Sequence, residues 1–171
     1  MRNLKYAMVI LFLLISLLLG QIAPTKAAEP DLGPQLLAYQ HENLTSHKVE
    51  NLQKLKGKPT LMMFFEPQCS WCFKQGKAFN RLLQQCPTAV NIVALGSHGD
   101  KVTLRRELWR MKLNFPGYLV GKTMMGELGA LPATPMTLIT DENGNLSGYL
   151  RGYIKLEQLL PLLRTKFGLQ C

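Results

Sequence analysis

The chain has 171 residues and a formal net charge of +9, from 20 Lys and Arg residues against 11 Asp and Glu residues. Hydrophobic residues make up 47% of the chain and charged residues 18%, proportions that exclude an intrinsically disordered protein. The length suits one folded domain, and the 4 cysteines are too few for a disulfide-rich miniature scaffold.

The first predicted element is a secretory signal peptide over residues 1–27. Arg2 and Lys5 precede the almost wholly aliphatic run 9–19, and the small residues Thr25 and Ala27 favour cleavage after Ala27. An apolar run of about a dozen residues is short for a membrane span, which needs roughly 20. The alternative is an uncleaved N-terminal membrane anchor. In either case we expect residues 28–171 to form a domain in an exported compartment, periplasmic or secreted.

A buried strand followed by a helix is the first structural signal of this domain. The apolar run 60–65 is short and bounded by prolines, which predicts a strand buried on both faces. Apolar residues then recur at three- and four-residue steps from Cys72 to Cys86, a spacing typical of a helix. The polar segment 29–58 shows no regular pattern and ends in a loop.

Strand and helix signals continue to alternate along the rest of the chain. Strands are predicted over 89–95, 118–120 and 136–140, and a return strand over 146–153 after an Asn-Gly turn. Helices are predicted over 102–113, with Asp100 as N-cap, over 155–167, and as a short helix or loop over 122–130. Pro161 predicts a kink or a late start in the last helix. The order indicates an α/β fold with a central mixed β-sheet flanked by helices.

Cys69 and Cys72 are the candidate catalytic residues, at the turn between the first buried strand and its helix. A helix N-terminus offers unpaired N–H groups and a partial positive charge, which stabilise the thiolate that attacks disulfides. Cys69 is placed at the exposed turn and Cys72 one turn inside. This spacing lets Cys69 attack a substrate disulfide and Cys72 resolve the mixed disulfide.

A zinc site is the main alternative chemistry for two cysteines at this spacing. Zinc needs two further ligands, and the sequence has neither a second C-x-x-C motif nor a suitably spaced histidine pair. His41, His47 and His98 are predicted to be surface or loop residues. We therefore predict no metal and no other cofactor. The alternative function is a binding or chaperone module that uses the pair for metal or only as a bridge.

A second signal lies at Thr134 and Pro135, directly before the predicted strand 136–140. A cis X–Pro bond would be useful here, although an isolated proline of this kind is more often an ordinary turn residue. A cis turn would place the backbone of Thr134 beside Cys69, where an extended substrate segment could pair with it. Ser70 and Trp71, between the two cysteines, are further candidate substrate contacts.

These motifs resemble the thioredoxin superfamily over about residues 44–167. The segments 55–61, 114–116 and 131–144 are similar to the exported TlpA/redoxin branch, and residues 65–69 are similar to disulfide isomerases of the DsbC/DsbG kind. The resemblance implies a thioredoxin-like fold, a nucleophilic Cys69, a resolving Cys72 and a cis Pro135. It also implies a protein-disulfide oxidoreductase, reductase or isomerase, whose partners are exported proteins with cysteines and, if it is reductive, a membrane redox partner.

The chain departs from the thioredoxin pattern in its charged groups. Met63 stands where thioredoxins carry a buried acid six residues before the first cysteine. Glu66 is nearby, but we expect it to be a solvated loop acid. Ser70 and Trp71 supply no charged histidine, while Lys74 and Lys77 add positive charge within two turns. We expect a reduction potential in the reducing half of the superfamily range of roughly −270 to −120 mV.

The remaining cysteines, Cys86 and Cys171, are predicted to form a structural disulfide. In a thioredoxin-like fold the helix after the C-x-x-C motif and the last helix share a sheet face, so their far ends should meet. The alternative is a buried Cys86 thiol and a frayed tail carrying Cys171. The separate N-terminal dimerisation domain of the isomerases has no counterpart before the predicted fold. We expect a monomer. The basic run on helix 102–113 is interpreted as a solvated face, and no nucleic-acid motif or nucleic-acid partner is predicted.

Overall fold

The computed structural model describes residues 35–129, 131 and 133–170. The predicted signal peptide and Cys171 therefore lie outside the described residues. None of the helices in this described part combines the length and the apolarity needed to cross a membrane.

Seven strands of the described residues form one mixed sheet with the order β2-β1-β5-β4-β3-β6-β7. The central strands β3, β4 and β5 are parallel, and the pairings of β1, β2, β6 and β7 are antiparallel. The strands are β1 (His41–Asn43), β2 (Val49–Glu50), β3 (Thr60–Phe65), β4 (Asn91–Gly96), β5 (Gly117–Leu119), β6 (Met136–Thr140) and β7 (Leu146–Arg151).

Helices cover both faces of the sheet. They are α1 (Ser70–Gln85), α2 (Lys101–Met111), α3 (Lys122–Leu128) and α4 (Leu156–Phe167). Successive side chains of a strand point to opposite faces, so β3 contributes to two separate cores. Met63 and its neighbours two positions away pack in the core cluster with α1, α2 and α4. Met62 and Phe64 pack in the other cluster, with α3 and the 3-10 turn Leu36–Ala38.

The fold confirms the predicted α/β architecture and corrects two details. The segment 29–58 contains β1 and β2, which the sequence did not indicate because strands of two or three residues are too short to show alternation. Helix α4 begins at Leu156, so the late start predicted from Pro161 is wrong. Leu159 and Leu163 on either side of Pro161 are buried, and tertiary packing of this kind outweighs one lost helical hydrogen bond.

His41 is a further correction, because a surface position was predicted for it and the structure buries it. It is the first residue of β1 and only 1% exposed. Its Nδ1 accepts a hydrogen bond from the Gly121 amide at 3.0 Å, and its Nε2 has no hydrogen-bond partner among the described residues. Burial lowers the pKa of His41 from 6.5 to about 4, because the charged ring would lose its hydration.

We expect acid to destabilise the fold through His41. The unfolded histidine keeps a pKa near 6.5, so between pH 6.5 and pH 4 the unfolded chain binds a proton that the folded chain does not. The free energy of unfolding therefore decreases as the pH is lowered, and we expect it to be about 3 kcal/mol smaller at pH 4 than at pH 7. Urea denaturation at pH 7 and pH 4 measures this loss for the wild-type protein and for His41→Asn. The asparagine Oδ1 can still accept the Gly121 amide hydrogen bond, but the side chain does not titrate. Equal acid losses in the two proteins would contradict it.

Candidate active site

Cys69 and Cys72 are joined by a disulfide at the start of α1, with an S–S distance of 2.04 Å. Gln68 adopts a φ of 61°, which turns the chain after β3, and Cys69 then caps the helix. The Cys72 amide donates a hydrogen bond to Cys69 Sγ at 3.0 Å. Cys72 is buried, whereas Cys69 is half-buried. Cys69 is therefore the more accessible of the two sulfurs, and it accepts an amide hydrogen bond of the kind that stabilises a thiolate.

The inner side of Cys72 is largely apolar. Met63 is fully buried in the same core cluster, so the position where thioredoxins carry an acid holds a thioether here. Gln75, one turn after Cys72, is the polar group that the sequence analysis missed in this region. Its Oε1 accepts a hydrogen bond from the Ile154 amide at 2.8 Å, and its buried Nε2 has no partner among the described residues.

Thr134 and Pro135 lie beside Cys69, as the predicted fold requires. The peptide bond between them is cis, and Pro135 is buried. The Thr134 hydroxyl lies 3.6 Å from Cys69 Sγ and donates a hydrogen bond to Glu66 Oε1 at 2.7 Å. The turn therefore brings the Thr134 hydroxyl to the sulfur of Cys69.

Glu66 is a partly exposed loop acid, as the sequence predicted, and its carboxylate also has two partners in the structure. One carboxylate oxygen accepts the Thr134 hydroxyl, and the other lies 3.5 Å from Nδ1 of the exposed His98. The side chain of Glu66 is still 42% exposed, so solvent screens its charge in part. The Thr134 hydroxyl thus lies between the Glu66 carboxylate and Cys69 Sγ. The negative charge of Glu66 repels a thiolate at Cys69 and so disfavours it.

Removing the charge of Glu66 should make the cysteine pair more oxidising. Glu66→Gln keeps an oxygen acceptor for Thr134 but removes the repulsion on the thiolate, so the reduced form gains stability. We expect the reduction potential to rise by about 10–30 mV, measured by equilibration with glutathione. Glu142→Gln, at the exposed turn between β6 and β7, is the control and should leave the potential unchanged. A fall in potential for Glu66→Gln would contradict the assignment.

An aromatic slot adjoins the cysteine pair. Trp71 is 53% exposed and stacks on Tyr153, with ring centroids 5.9 Å apart. The slot is a cavity of about 300 Å³ lined by Trp71, Thr134, Pro135, Gly152 and Tyr153. Three of the four predicted substrate contacts therefore meet in one place. Ser70, exposed at the first position of α1, is not among the lining residues.

Tyr153 was missed by the sequence analysis, which assigned it to the return strand. Strand β7 ends at Arg151, and the turn at Gly152, with a φ of 75°, brings Tyr153 towards Trp71. A larger cavity of about 440 Å³ lies at the other end of β3, beside Pro59 and Thr140, and neither Cys69 nor Cys72 lines it.

The other sequence expectations concern metal ligands and Cys86. Within the described residues, no group of three or more His, Cys, Asp or Glu side chains is arranged to hold a metal ion. Cys86 is buried at the end of α1, in the same core cluster as Leu169. Cys171 lies outside the described residues, so the Cys86–Cys171 disulfide stays a prediction.

Comparison with known proteins gives matches among solved structures. No family model and no curated protein sequence matches the chain. A secreted disulfide oxidoreductase of Mycobacterium tuberculosis, homologous to E. coli DsbE, superposes with a TM-score of 0.61 and 18% identity over 74% of this chain and 95% of that one. StoA from Bacillus subtilis superposes with a TM-score of 0.58 and 21% identity over 74% of this chain and 96% of its own.

A third match is a thiol:disulfide interchange protein of the thioredoxin family from Chlorobium tepidum. It has a TM-score of 0.64 and 15% identity, over 76% of this chain and 93% of that one. These likenesses show that the chain has a thioredoxin-like fold, as the sequence predicted. The Mycobacterium tuberculosis protein is named as a disulfide oxidoreductase and the Chlorobium tepidum protein as a thiol:disulfide interchange protein. A C-x-x-C pair stands at the helix start of this chain.

Proposed function

We propose that the protein is an exported thiol–disulfide oxidoreductase that acts on the disulfides of other exported proteins through Cys69 and Cys72. The observation that carries the proposal is the position of Cys69. Its sulfur caps α1, accepts the Cys72 amide, and lies 3.6 Å from the Thr134 hydroxyl beside the aromatic slot. A nucleophile, a resolving thiol and a place for substrate thus meet at one point.

The reaction begins with both cysteines reduced. The Cys69 thiolate attacks one sulfur of a substrate disulfide, and the other substrate sulfur leaves as a thiolate that takes a proton from water. Cys72 then loses its proton and attacks Cys69 Sγ, which releases the second substrate thiol and forms the Cys69–Cys72 disulfide. Two electrons pass to the substrate, and an external dithiol donor must reduce the pair again. Cys72 is well placed for the second attack because it lies directly behind Cys69.

The proposed substrate-binding residues are Thr134, Pro135, Trp71 and Ser70. An extended substrate segment would pair with the backbone at Thr134, as a strand adds to a sheet edge. The aromatic slot, lined on one side by the Trp71–Tyr153 stack and on the other by Pro135, would take an apolar side chain next to the substrate cysteine. Ser70, exposed at the helix start, would contact the same segment on its other side.

We propose reduction or isomerisation as the direction of this chemistry. The thiolate gains from the helix N-terminus and from the Cys72 amide, but Glu66 opposes it and no histidine separates the cysteines. We also propose that the protein is a monomer in the periplasm or outside the cell. A membrane redox partner would reduce its Cys69–Cys72 disulfide after each turnover. The secreted Mycobacterium tuberculosis match supports an exported compartment.

Insulin reduction tests the proposed activity. The full chain, in a mild non-ionic detergent, is added to insulin and dithiothreitol, and precipitation of the reduced B chain is followed by turbidity. We expect the chain to shorten the lag, and Cys69→Ala to restore the lag of dithiothreitol alone. Equal lags with and without the wild-type chain would overturn the redox function.

A further inference from the structure

A second, basic cavity of about 230 Å³ lies next to the aromatic slot and shares Tyr153 with it. We call it the basic shelf and define it by its four cationic lining residues, Lys74, Lys77, Arg81 and Lys155. The first three lie on one face of α1, at spacings of three and four residues, and Lys155 is the N-cap of α4. Glu157 is the one acidic residue among the described residues that line it.

Glu157 is too far from the four cations of the basic shelf to form an ion pair with any of them. Within the described part of the chain, none of the four makes an ion pair within 4.0 Å. Elsewhere the chain does pair its lysines, as in Lys101 with Glu42 at 2.6 Å. Unpaired like charges in one concave surface create a positive potential that attracts an acidic ligand.

Two of these cations are held in place by aromatic rings next to the cysteine pair. The Lys74 Nζ lies 4.0 Å from the centroid of the Trp71 ring, and the Lys77 Nζ lies 4.4 Å from that of Phe73. These contacts fix the ammonium groups at modest cost in side-chain freedom. The shelf is therefore a continuation of the slot, with positive charge where the slot is apolar.

The distance from Cys69 sets which substrate residues meet the shelf. At about 1.5 Å per residue, Lys74 and Arg81 lie roughly 7 and 18 Å along the axis of α1 from Cys69. An extended chain covers about 3.3 Å per residue, so residues roughly two to five positions from the attacked cysteine reach the shelf.

We propose that the basic shelf binds an acidic stretch of the substrate polypeptide, so that exported proteins with Asp or Glu close to the reactive cysteine are the preferred substrates. This inference rests on the proposed function, because it requires that Cys69 attack a substrate disulfide. It adds a substrate class to a reaction that the cysteine pair alone leaves unselective.

Three peptides that differ only in charge test the preference. Each carries one cysteine as a mixed disulfide with thionitrobenzoate, and Glu, Gln or Lys fills the four positions nearest the shelf. Each peptide is made in two versions, one with these four positions before the cysteine and one with them after it. The Cys69 thiolate of Cys72→Ala attacks the peptide sulfur, forms a protein–peptide disulfide, and releases the coloured thionitrobenzoate thiolate. The rate of colour release gives the second-order rate constant.

We expect the Glu peptide, in at least one orientation, to react about tenfold faster than the Gln peptide at low salt, and the Lys peptide to react more slowly. The ratio should shrink in 0.5 M salt because screening weakens the attraction. When Lys77→Glu and Arg81→Glu are added to the Cys72→Ala protein, the Glu peptide should react more slowly than the Gln peptide. Arg106→Glu with Lys122→Glu changes the net charge equally, away from the shelf, and should keep the ratio.

Each outcome separates this inference from the proposed function. If none of the peptides reacts, the redox function itself fails. If all three react at equal rates, the redox function stands and the acidic preference is overturned. If the ratio persists in the Lys77 and Arg81 variant, the preference arises elsewhere and the shelf assignment is overturned. Equal rates, with salt-sensitive binding to phosphatidylglycerol vesicles that the same variant loses, would assign the shelf to a membrane surface instead.

Discussion

Replacing Cys72 with Ala should reduce catalysed insulin reduction to the uncatalysed rate and leave Cys69 linked to substrate proteins. Cys69 is half-buried at the helix start, so we expect it to stay accessible to a substrate, whereas Cys72 is buried, and we propose it as the resolving thiol. Without Cys72 the mixed disulfide has no resolving partner. Non-reducing electrophoresis of the tagged variant from cells should show high-mass adducts that dithiothreitol removes.

Cys69→Ala is the matched control for this trap. It should give no adducts, because Cys72 is 1% exposed and is not reached by a protein disulfide. The double variant Cys69→Ala with Cys72→Ala separates adducts through Cys86 or Cys171 from adducts through the pair. Adducts in Cys69→Ala that equal those in Cys72→Ala would reverse the assigned roles of the two cysteines.

Gly121→Ala should destabilise the fold by about 3 kcal/mol, at the upper end of the usual cost of overpacking. A Cβ atom at Gly121 would collide with the Gln40 carbonyl oxygen, and backbone cannot swing aside as a flexible side chain does. The Gly121 amide also donates to His41, so any shift of this loop strains the buried ring. Urea denaturation at pH 7 measures the loss.

Gly126→Ala is the control substitution, in the same region of the chain. A Cβ atom at Gly126 would meet nothing within 4 Å, and the residue lies inside α3. Alanine is favoured over glycine inside a helix, so we expect a gain of about 0.5–1 kcal/mol. Equal effects at the two positions would show that the close approach to Gln40 does not constrain this loop.

The centre of the fold could be predicted because its signals are local. Strand β3 is a continuous apolar run between prolines, and it spans 60–65 as predicted. Strand β6 also has its predicted bounds, Met136–Thr140. Asp100 caps α2 by accepting the Thr103 amide at 2.8 Å, which a short acidic side chain before a helical pattern indicates. The position of the cysteine pair could also be predicted, because the pair lies at the turn between β3 and α1.

The parts that escaped prediction depend on contacts between distant segments. His41 is buried because β1 pairs with both β2 and β5, and two- or three-residue strands leave no readable pattern. The Glu66–Thr134 hydrogen bond joins residues 68 positions apart. The Trp71–Tyr153 stack likewise needs the turn after β7 to reach the start of α1. No spacing within one segment could indicate either contact.

We propose that Cys69 is the reactive thiol and that Cys72 is shielded behind it. Limited alkylation distinguishes the two: the fully reduced chain receives less than one equivalent of iodoacetamide near pH 6, and mass spectrometry locates the label. We expect nearly all the label on Cys69. Label divided evenly between the two cysteines, or found first on Cys72, would contradict it.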